Sequence, residues 1–426
     1  MMLSRTNQQR ALIALVEVFG LSVWFSATAV VPTLRSEWGI GATAAVWLTA
    51  SVQLGFVVGA ITSTVFNLAD RTTPQNLLAA SALGAAACTA ALAFFATGLG
   101  AAVPLRFLTG MLLAGVYPVG MKLMASWSAS TDRGRTFGVL LAALTVGSAL
   151  PHLISGLGPL PWRTVLLAAA ALTATGAVLA SAVVRPGPHL GARASTPNPR
   201  YALALLAERG PRLVSLGYFG HMWELYALWT WLPMFVRAGQ GARGDAVTAS
   251  NGFIAFVAIG VAGAVGCLLG GWASDRFGRP PAAVAALVTS GTCCIASPIF
   301  FAAPTLVLVV FLLVWGASVI ADSGVFSTAL SETTDTRFVG TALTAQTAIG
   351  FLLTVVTIQF VPVVADLVGW QYAFLFLAPG PLIGAVAMSA LDDPQHHLLK
   401  EENHDHQLYP HDAVRRSDSA ALTHCR

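Results

Sequence analysis

Six ionisable side chains stand inside long apolar runs of this chain: Glu17, Arg106, His152, His221, Glu224 and Asp322. If those runs cross a bilayer, each charge costs about 2.5–3.5 kcal/mol at the centre of a span, so each is a candidate for binding or coupling. The richest stretch places His221, Glu224, Leu228 and Trp231 at helical spacing, with Tyr226 and Trp229 nearby and Pro233 closing it. A carboxyl and an imidazole one turn apart in low dielectric can share or pass a proton. The aromatic rings beside them offer a stacking surface for a solute. The competing reading is a polar pair that only fixes helix packing.

Other candidates are more isolated. Arg106 shares a helical face with Thr109, Gly110, Leu113 and Tyr117, and a buried cation there needs a counter-charge or an anionic solute. Glu17 shares a face with Gly20, Leu21, Trp24 and Thr28, and either couples protons or caps and snorkels near the interface. Asp322, one turn after Ser318, is expected in the inner half of its helix, either as a coupling or cavity group or as part of an inner gate. His152, beside Pro151, is expected to be a packing residue. Gln53 and Gln346 are neutral donors, either to a cavity or between helices. No residue is expected to be catalytic.

The elements that carry these groups follow from composition. The chain has 426 residues, 56% apolar and 10% charged, with 40 glycines; no soluble domain of this size has that make-up. Apolar runs of roughly 20 residues recur from end to end, the length a helix needs to cross the hydrocarbon core. Backbone groups in lipid must bond internally, which leaves helices or a closed barrel, and the runs are too long and unbroken for barrel strands. Twelve helices are expected, beginning near Ala11, Thr43, Asn76, Ala101, Thr136, Thr164, Leu213, Thr248, Pro281, Pro304, Gly340 and Gln371. The first is not read as a cleaved leader, since Glu17 and Trp24 lie within it and no small-residue cleavage site follows. The cysteines lie in apolar runs or at the tail and suggest packing, with no disulfide framework. A net charge of +4 spread over loops implies no nucleic-acid partner.

The chain reads as one six-helix unit written twice. Asp70-Arg71 sits in a turn between helices 2 and 3, and Asp275-Arg276 in the corresponding turn between helices 8 and 9. Thr131-Asp132 before helix 5 is echoed by Thr334-Asp335 before helix 11, and Trp162 before helix 6 by Trp370 before helix 12. The expected organisation is a bundle over 1–184, a linker over 185–212 rich in proline and arginine, a second bundle over 213–391, and a polar, disordered tail over 392–426. His396, His397, His404, His406 and His411 in the tail match no ordered ligand spacing, so no metal is expected. Arginines gather on the side of the N-terminus, as at Arg5, Arg10, Arg71, Arg133, Arg135, Arg276 and Arg279, and leave Arg35, Arg163, Arg237 and Arg243 for the other. Both ends are therefore expected in the cytoplasm, with the chain in the inner (plasma) membrane.

From about Arg10 to Leu391 the sequence resembles the major facilitator superfamily, in its prokaryotic, twelve-helix form. Gly271-Trp272-Ala273-Ser274-Asp275-Arg276-Phe277-Gly278-Arg279 matches the family's Gly-x-x-x-Asp-Arg-x-Gly-Arg loop in full. The first loop departs from it, with Phe66 in place of the glycine and Thr72-Thr73-Pro74 after the arginine. Arg106 to Gly110 with Gly115 resembles the family's fourth helix, and Gly147 to Pro151 with Gly156 is a loose relative of its antiporter pattern. The resemblance implies an all-α membrane fold of two pseudo-symmetric bundles rocking around a midplane site. It implies a cytoplasmic gate of Asp70, Arg71, Gly271, Asp275, Arg276, Gly278 and Arg279, and a role for Arg106 in proton transfer or in organising the cavity. From the residues, Asp275 is expected to accept from backbone N–H groups at the start of helix 9 and to pair with Arg276 or Arg279.

The reading is a secondary transporter of a small solute, acting as a monomer in the bilayer, coupled to protons and needing no cofactor. No phosphate-binding loop for ATP is present. A membrane enzyme using His221 and Glu224, or a receptor on the same fold, are the rivals from other classes; metal and nucleophile motifs that would favour an enzyme are missing. Within transport, efflux of organic compounds by proton antiport competes with uptake of a small organic or inorganic anion. Helix 7 and the membrane acids favour the first; Arg106 and the histidines favour the second.

Overall fold

The computed structural model of the chain describes residues 2–66, 68–128, 133–158, 160–190, 207–245, 250–335 and 339–391. The echoed Thr131-Asp132, most of the linker, the tail with its histidines and the Asp70 side chain lie outside the described residues.

The described chain is helical throughout. Ten of its helices are long and apolar enough to cross a membrane: α2 (Thr43–Val65), α3 (Pro74–Phe95), α4 (Leu99–Ser126), α5 (Gly134–Gly156), α6 (Trp162–Ala182), α8 (Asn251–Phe277), α9 (Arg279–Phe300), α10 (Thr305–Thr333), α11 (Val339–Val368) and α12 (Trp370–Ser389). Two more complete the twelve. Helix α1 runs over Met2–Gly20 and resumes over Val31–Trp38. Helix α7 is a single unbroken helix, Arg209–Arg243. It begins inside the stretch expected to be linker, because Arg209 to Arg212 continue its first turn.

Sequence composition explains how the spans approach each other. A methyl group on Gly55 or Gly59 of α2 would overlap the carbonyl oxygens of Phe107 or Met111 on α4, and one on Gly110 of α4 would overlap Val52. In the other half Gly266 and Gly270 of α8 lie against the carbonyls of Ala317 and Ala321 on α10, and Gly316 of α10 against Ala258. Without a hydrophobic drive between helices in lipid, backbone contact of this kind supplies the packing. The same device at equivalent places in each half is the repeat expressed as structure.

The halves meet along two seams, α5 with α8 and α2 with α11, and through α1 and α7 at the centre. The α5–α8 seam is tight over its whole length. Gly271 meets the Gly134 backbone at one end, Gly260 meets Ala149 midway, and Gly252 meets the His152 carbonyl at the other. Midway, α8 loosens into a π-helical stretch over Phe256–Ala262, which the sequence pattern does not announce. Across the second seam the hydroxyls of Thr64 and Thr344 are 3.1 Å apart.

The first helix departs most from expectation. Residues 21–27 form turns instead of helix, followed by a 3-10 turn at Thr28–Val30. Leu21, Trp24 and Thr28 therefore do not continue the Glu17 face.

If the glycine contacts hold each half together, Gly266→Ala should cost about 1–3 kcal/mol, as overpacked cores do. The thermal-unfolding midpoint of the detergent-solubilised protein should fall, while Gly100→Ala, where a methyl group meets open space, should leave it unchanged.

Candidate functional site

Arg106 explains how α1 can break inside the membrane. Its side chain is fully buried, and Nε donates to the Leu48 carbonyl at 3.0 Å and Nη1 to the Val23 carbonyl at 2.9 Å. Nη2 donates to the Trp24 carbonyl. Irregular backbone at membrane depth survives only where its polar groups find partners, and a guanidinium with five N–H donors can serve several carbonyls at once. Among the described residues its hydrogen-bond partners are the Leu48, Val23 and Trp24 carbonyls and the Ser26 hydroxyl. Trp24 and Phe25 are thereby held at the centre of the molecule.

Helix α7 places its polar groups differently from the expected His221–Glu224 pair. His221 Nδ1 lies 2.8 Å from Asp322 Oδ1, both almost wholly buried, and its Nε2 is 2.8 Å from the Ser323 hydroxyl. The Nδ1 contact is close but off line, so Asp322 Oδ1 takes no well-directed hydrogen bond. Asp322 sits in the short break of α10 between Thr305–Ala321 and Ser323–Thr333. It lies beside His221 of α7, just past the middle of Thr305–Thr333. Glu224 accepts from Trp315 Nε1 at 2.6 Å and lies 3.2 Å from Cys294 Sγ. Trp231 donates to the Ile358 carbonyl and packs on Trp370. This face of α7 is thus committed to α9, α10, α11 and α12 within its own half. The neighbouring face, with Tyr226 and Trp229, meets Trp24 and Phe25 across the centre.

The remaining candidates divide between the two sides. Glu17 is fully buried with neither carboxylate oxygen hydrogen-bonded, packed where Gly120 of α4 leaves room for it. Tyr117, at the start of the second part of α4, lies within electrostatic reach of Glu17. Gln53 is buried with its amide unpaired. Gln346 of α11 reaches the Ser215 hydroxyl of α7 at 3.4 Å, a contact inside the second half. The His152 ring is buried and its carbonyl meets Gly252 on α8.

The Asp275 loop closes one end of the α5–α8 seam. Its Oδ2 accepts from the Arg135 backbone N–H at 3.0 Å, at the start of α5 in the other half. Oδ1 pairs with Arg279 at 2.8 Å, and Arg279 also reaches Glu332 at 3.1 Å. The expected partner at the start of α9 is replaced by the start of α5, for two reasons. Gly134 has no side chain to fend off the carboxylate, and a helix N-terminus attracts an anion. Of the two arginines, Arg279 makes the pair. Gly278, at φ +93°, supplies the left-handed turn that brings it round. Arg71 ends a one-turn helix, Leu68–Arg71, in the first loop.

The sequence profile of the Major Facilitator Superfamily matches residues 12–358 and 254–417. The chain belongs to that superfamily. It is therefore a multi-pass membrane protein. It is 26% identical to the gallate transporter of Pseudomonas putida over 302 residues, a match covering 63% of this chain and 65% of that protein. The match thus spans just under two thirds of the relative's length. Among solved structures, the proton:xylose symporter XylE superposes with a TM-score of 0.69 at 13% identity, covering 91% of this chain and 97% of that one. The nucleoside transporter NupG does so with 0.69 at 14%, covering 90% and 99%. At these identities they share the fold.

Sequence reasoning missed three things about this superfamily member: the break in α1, the His221–Asp322–Ser323 chain, and the unpaired centre around Trp24 and Trp229. The only signal for the break was Arg106 itself, a buried cation without a visible counter-ion. Replacing the Asp275 charge while keeping its shape should loosen the lock between halves. Asp275→Asn should lower maximal flux in proteoliposomes about tenfold, on the scale of one charge-assisted bond, with apparent solute affinity changed little; unaltered flux would count against the lock.

Proposed function

We propose that this carrier moves a small organic solute in exchange or in company with protons, in an inner membrane with both chain ends in the cytoplasm. The observation that supports coupling is the buried Asp322–His221–Ser323 chain between α7 and α10. A histidine between a carboxylate and a hydroxyl can take a proton at one nitrogen and lose it at the other. Glu224, held by Trp315 and Cys294, and the unpaired Glu17 add two further membrane acids. Transport proceeds by rocking of the two halves about the α5–α8 and α2–α11 seams, with Asp275 locking the cytoplasmic end.

Commitment of Arg106 to backbone carbonyls removes the main support for an inorganic anion, and the aromatic centre favours an organic cargo. Efflux by antiport fits the membrane acids. The likeness to a gallate transporter favours a second reading, uptake of a small organic anion by symport; gallate accumulation under opposite pH gradients separates the two.

Coupling and exchange test the proton reading apart from the cargo. In proteoliposomes, Asp322→Asn should abolish accumulation driven by a pH gradient, by a factor of about a hundred as for a lost acid–base group, while solute–solute counterflow persists. Gradient-driven accumulation at the wild-type level would remove the pair from coupling.

A further inference from the structure

The two halves meet at the centre through rings. Trp24 and Phe25 of α1 and Phe56 of α2 face Tyr226 and Trp229 of α7 and Phe351 of α11. Across the divide, Phe56 and Phe351 are 4.4 Å apart, Phe25 and Trp229 5.8 Å, Trp24 and Phe351 5.8 Å, and Tyr226 is 6.0 Å from both Trp24 and Phe25. A purely structural apolar plug would be served by phenylalanine and leucine, yet this one carries indole N–H groups that bond to nothing. Trp24 and Trp229 are each 1% exposed, and neither Nε1 has a partner.

That lack is local. The other buried tryptophans all donate: Trp162 to Glu37, Trp231 to the Ile358 carbonyl and Trp315 to Glu224. Gln53, one turn before Phe56 on α2, is also buried with amide nitrogen and oxygen both unpaired. Buried polar atoms without partners are rare and demand an explanation. Here they border the central surface where the two halves meet. Arg106 is not available to complete them, since its N–H groups go to the carbonyls of Leu48, Val23 and Trp24.

We propose that this centre is the solute site and that it takes a single-ring aromatic compound bearing oxygen acceptors, such as a carboxylate or phenol. The flat ring slots between the walls Trp24, Phe25, Phe56 and Tyr226, Trp229, Phe351, replacing ring-on-ring contact across the halves with ring-on-solute contact. Its oxygens accept from the indoles of Trp24 and Trp229. The Gln53 amide, donor and acceptor at once, reads a hydroxyl. Occlusion then re-forms only around a flat solute, since a puckered ring holds the walls apart. What the binding serves rests on the carrier reading above, but binding itself needs no gradient.

Isothermal titration of the purified full-length chain in detergent, at fixed pH, with benzoate, 3,4-dihydroxybenzoate and cyclohexanecarboxylate tests the site. The two aromatic acids should bind, and cyclohexanecarboxylate, equal in charge, should bind several-fold more weakly. Trp229→Phe and Trp24→Phe keep a ring and lose the donor; each should weaken binding about tenfold, the scale of one hydrogen bond to a charged acceptor. Gln53→Leu should weaken the dihydroxybenzoate more than benzoate, and Trp162→Phe should change neither. The proposal is overturned if none of the aromatic acids binds, if cyclohexanecarboxylate binds equally well, or if Trp24→Phe, Trp229→Phe and Gln53→Leu all bind as the wild type does. A wild-type protein that binds the aromatic acids but shows no gradient-driven flux would instead refute the coupling and leave the site standing.

Discussion

Everything at the centre of this carrier depends on a guanidinium serving backbone carbonyls in the absence of water. A helix crossing lipid satisfies its own polar groups, and a helix that breaks there does not. Arg106 donates to carbonyls on α1 and α2 and so lets α1 leave the helical path at 21–27. Without the break, Trp24 and Phe25 would follow the helical face of Glu17. With it, they reach across to Tyr226 and Trp229. A residue whose type suggested an anion-binding role works instead as the fastener of an irregular main chain.

Polar chemistry and solute contact are consequently kept apart. Of the groups proposed to carry protons, His221, Asp322 and Glu224 are held within the second half by α9 and α10. The surface proposed to open and close is aromatic. The two share one element, α7, one face of which carries His221 and Glu224 and another Tyr226 and Trp229. Glycines line the α5–α8 seam at both ends and in the middle, which lets two backbones roll on each other, and the π-helical stretch at Phe256–Ala262 lies where a bend in α8 would be needed.

The fold was legible because lipid imposes length and composition on every span, and because the Asp-Arg loops repeat. The site was legible only in its ingredients. Glu17, Arg106, His221, Glu224 and Asp322 announce themselves as ionisable groups in apolar runs, but pairing is a property of depth and rotation, and both shift when a helix lengthens or breaks. The three-and-four spacing grouped His221 with Glu224 and pointed to Trp231. The structure turns that face inward and gives the divide to Trp229, two positions earlier. Nothing in the residues around Asp275 could show that its partner is the start of α5, because that contact is set by a glycine, Gly134, in the other half.

The central claim is that the halves rock about closed seams. Spin labels at Thr64 and Thr344, whose hydroxyls touch in this arrangement, would report it directly through pulsed-dipolar distances in a background freed of native cysteines. Rocking predicts a short and a long population whose ratio shifts with pH and with solute. A single short distance, unmoved by either, would contradict it.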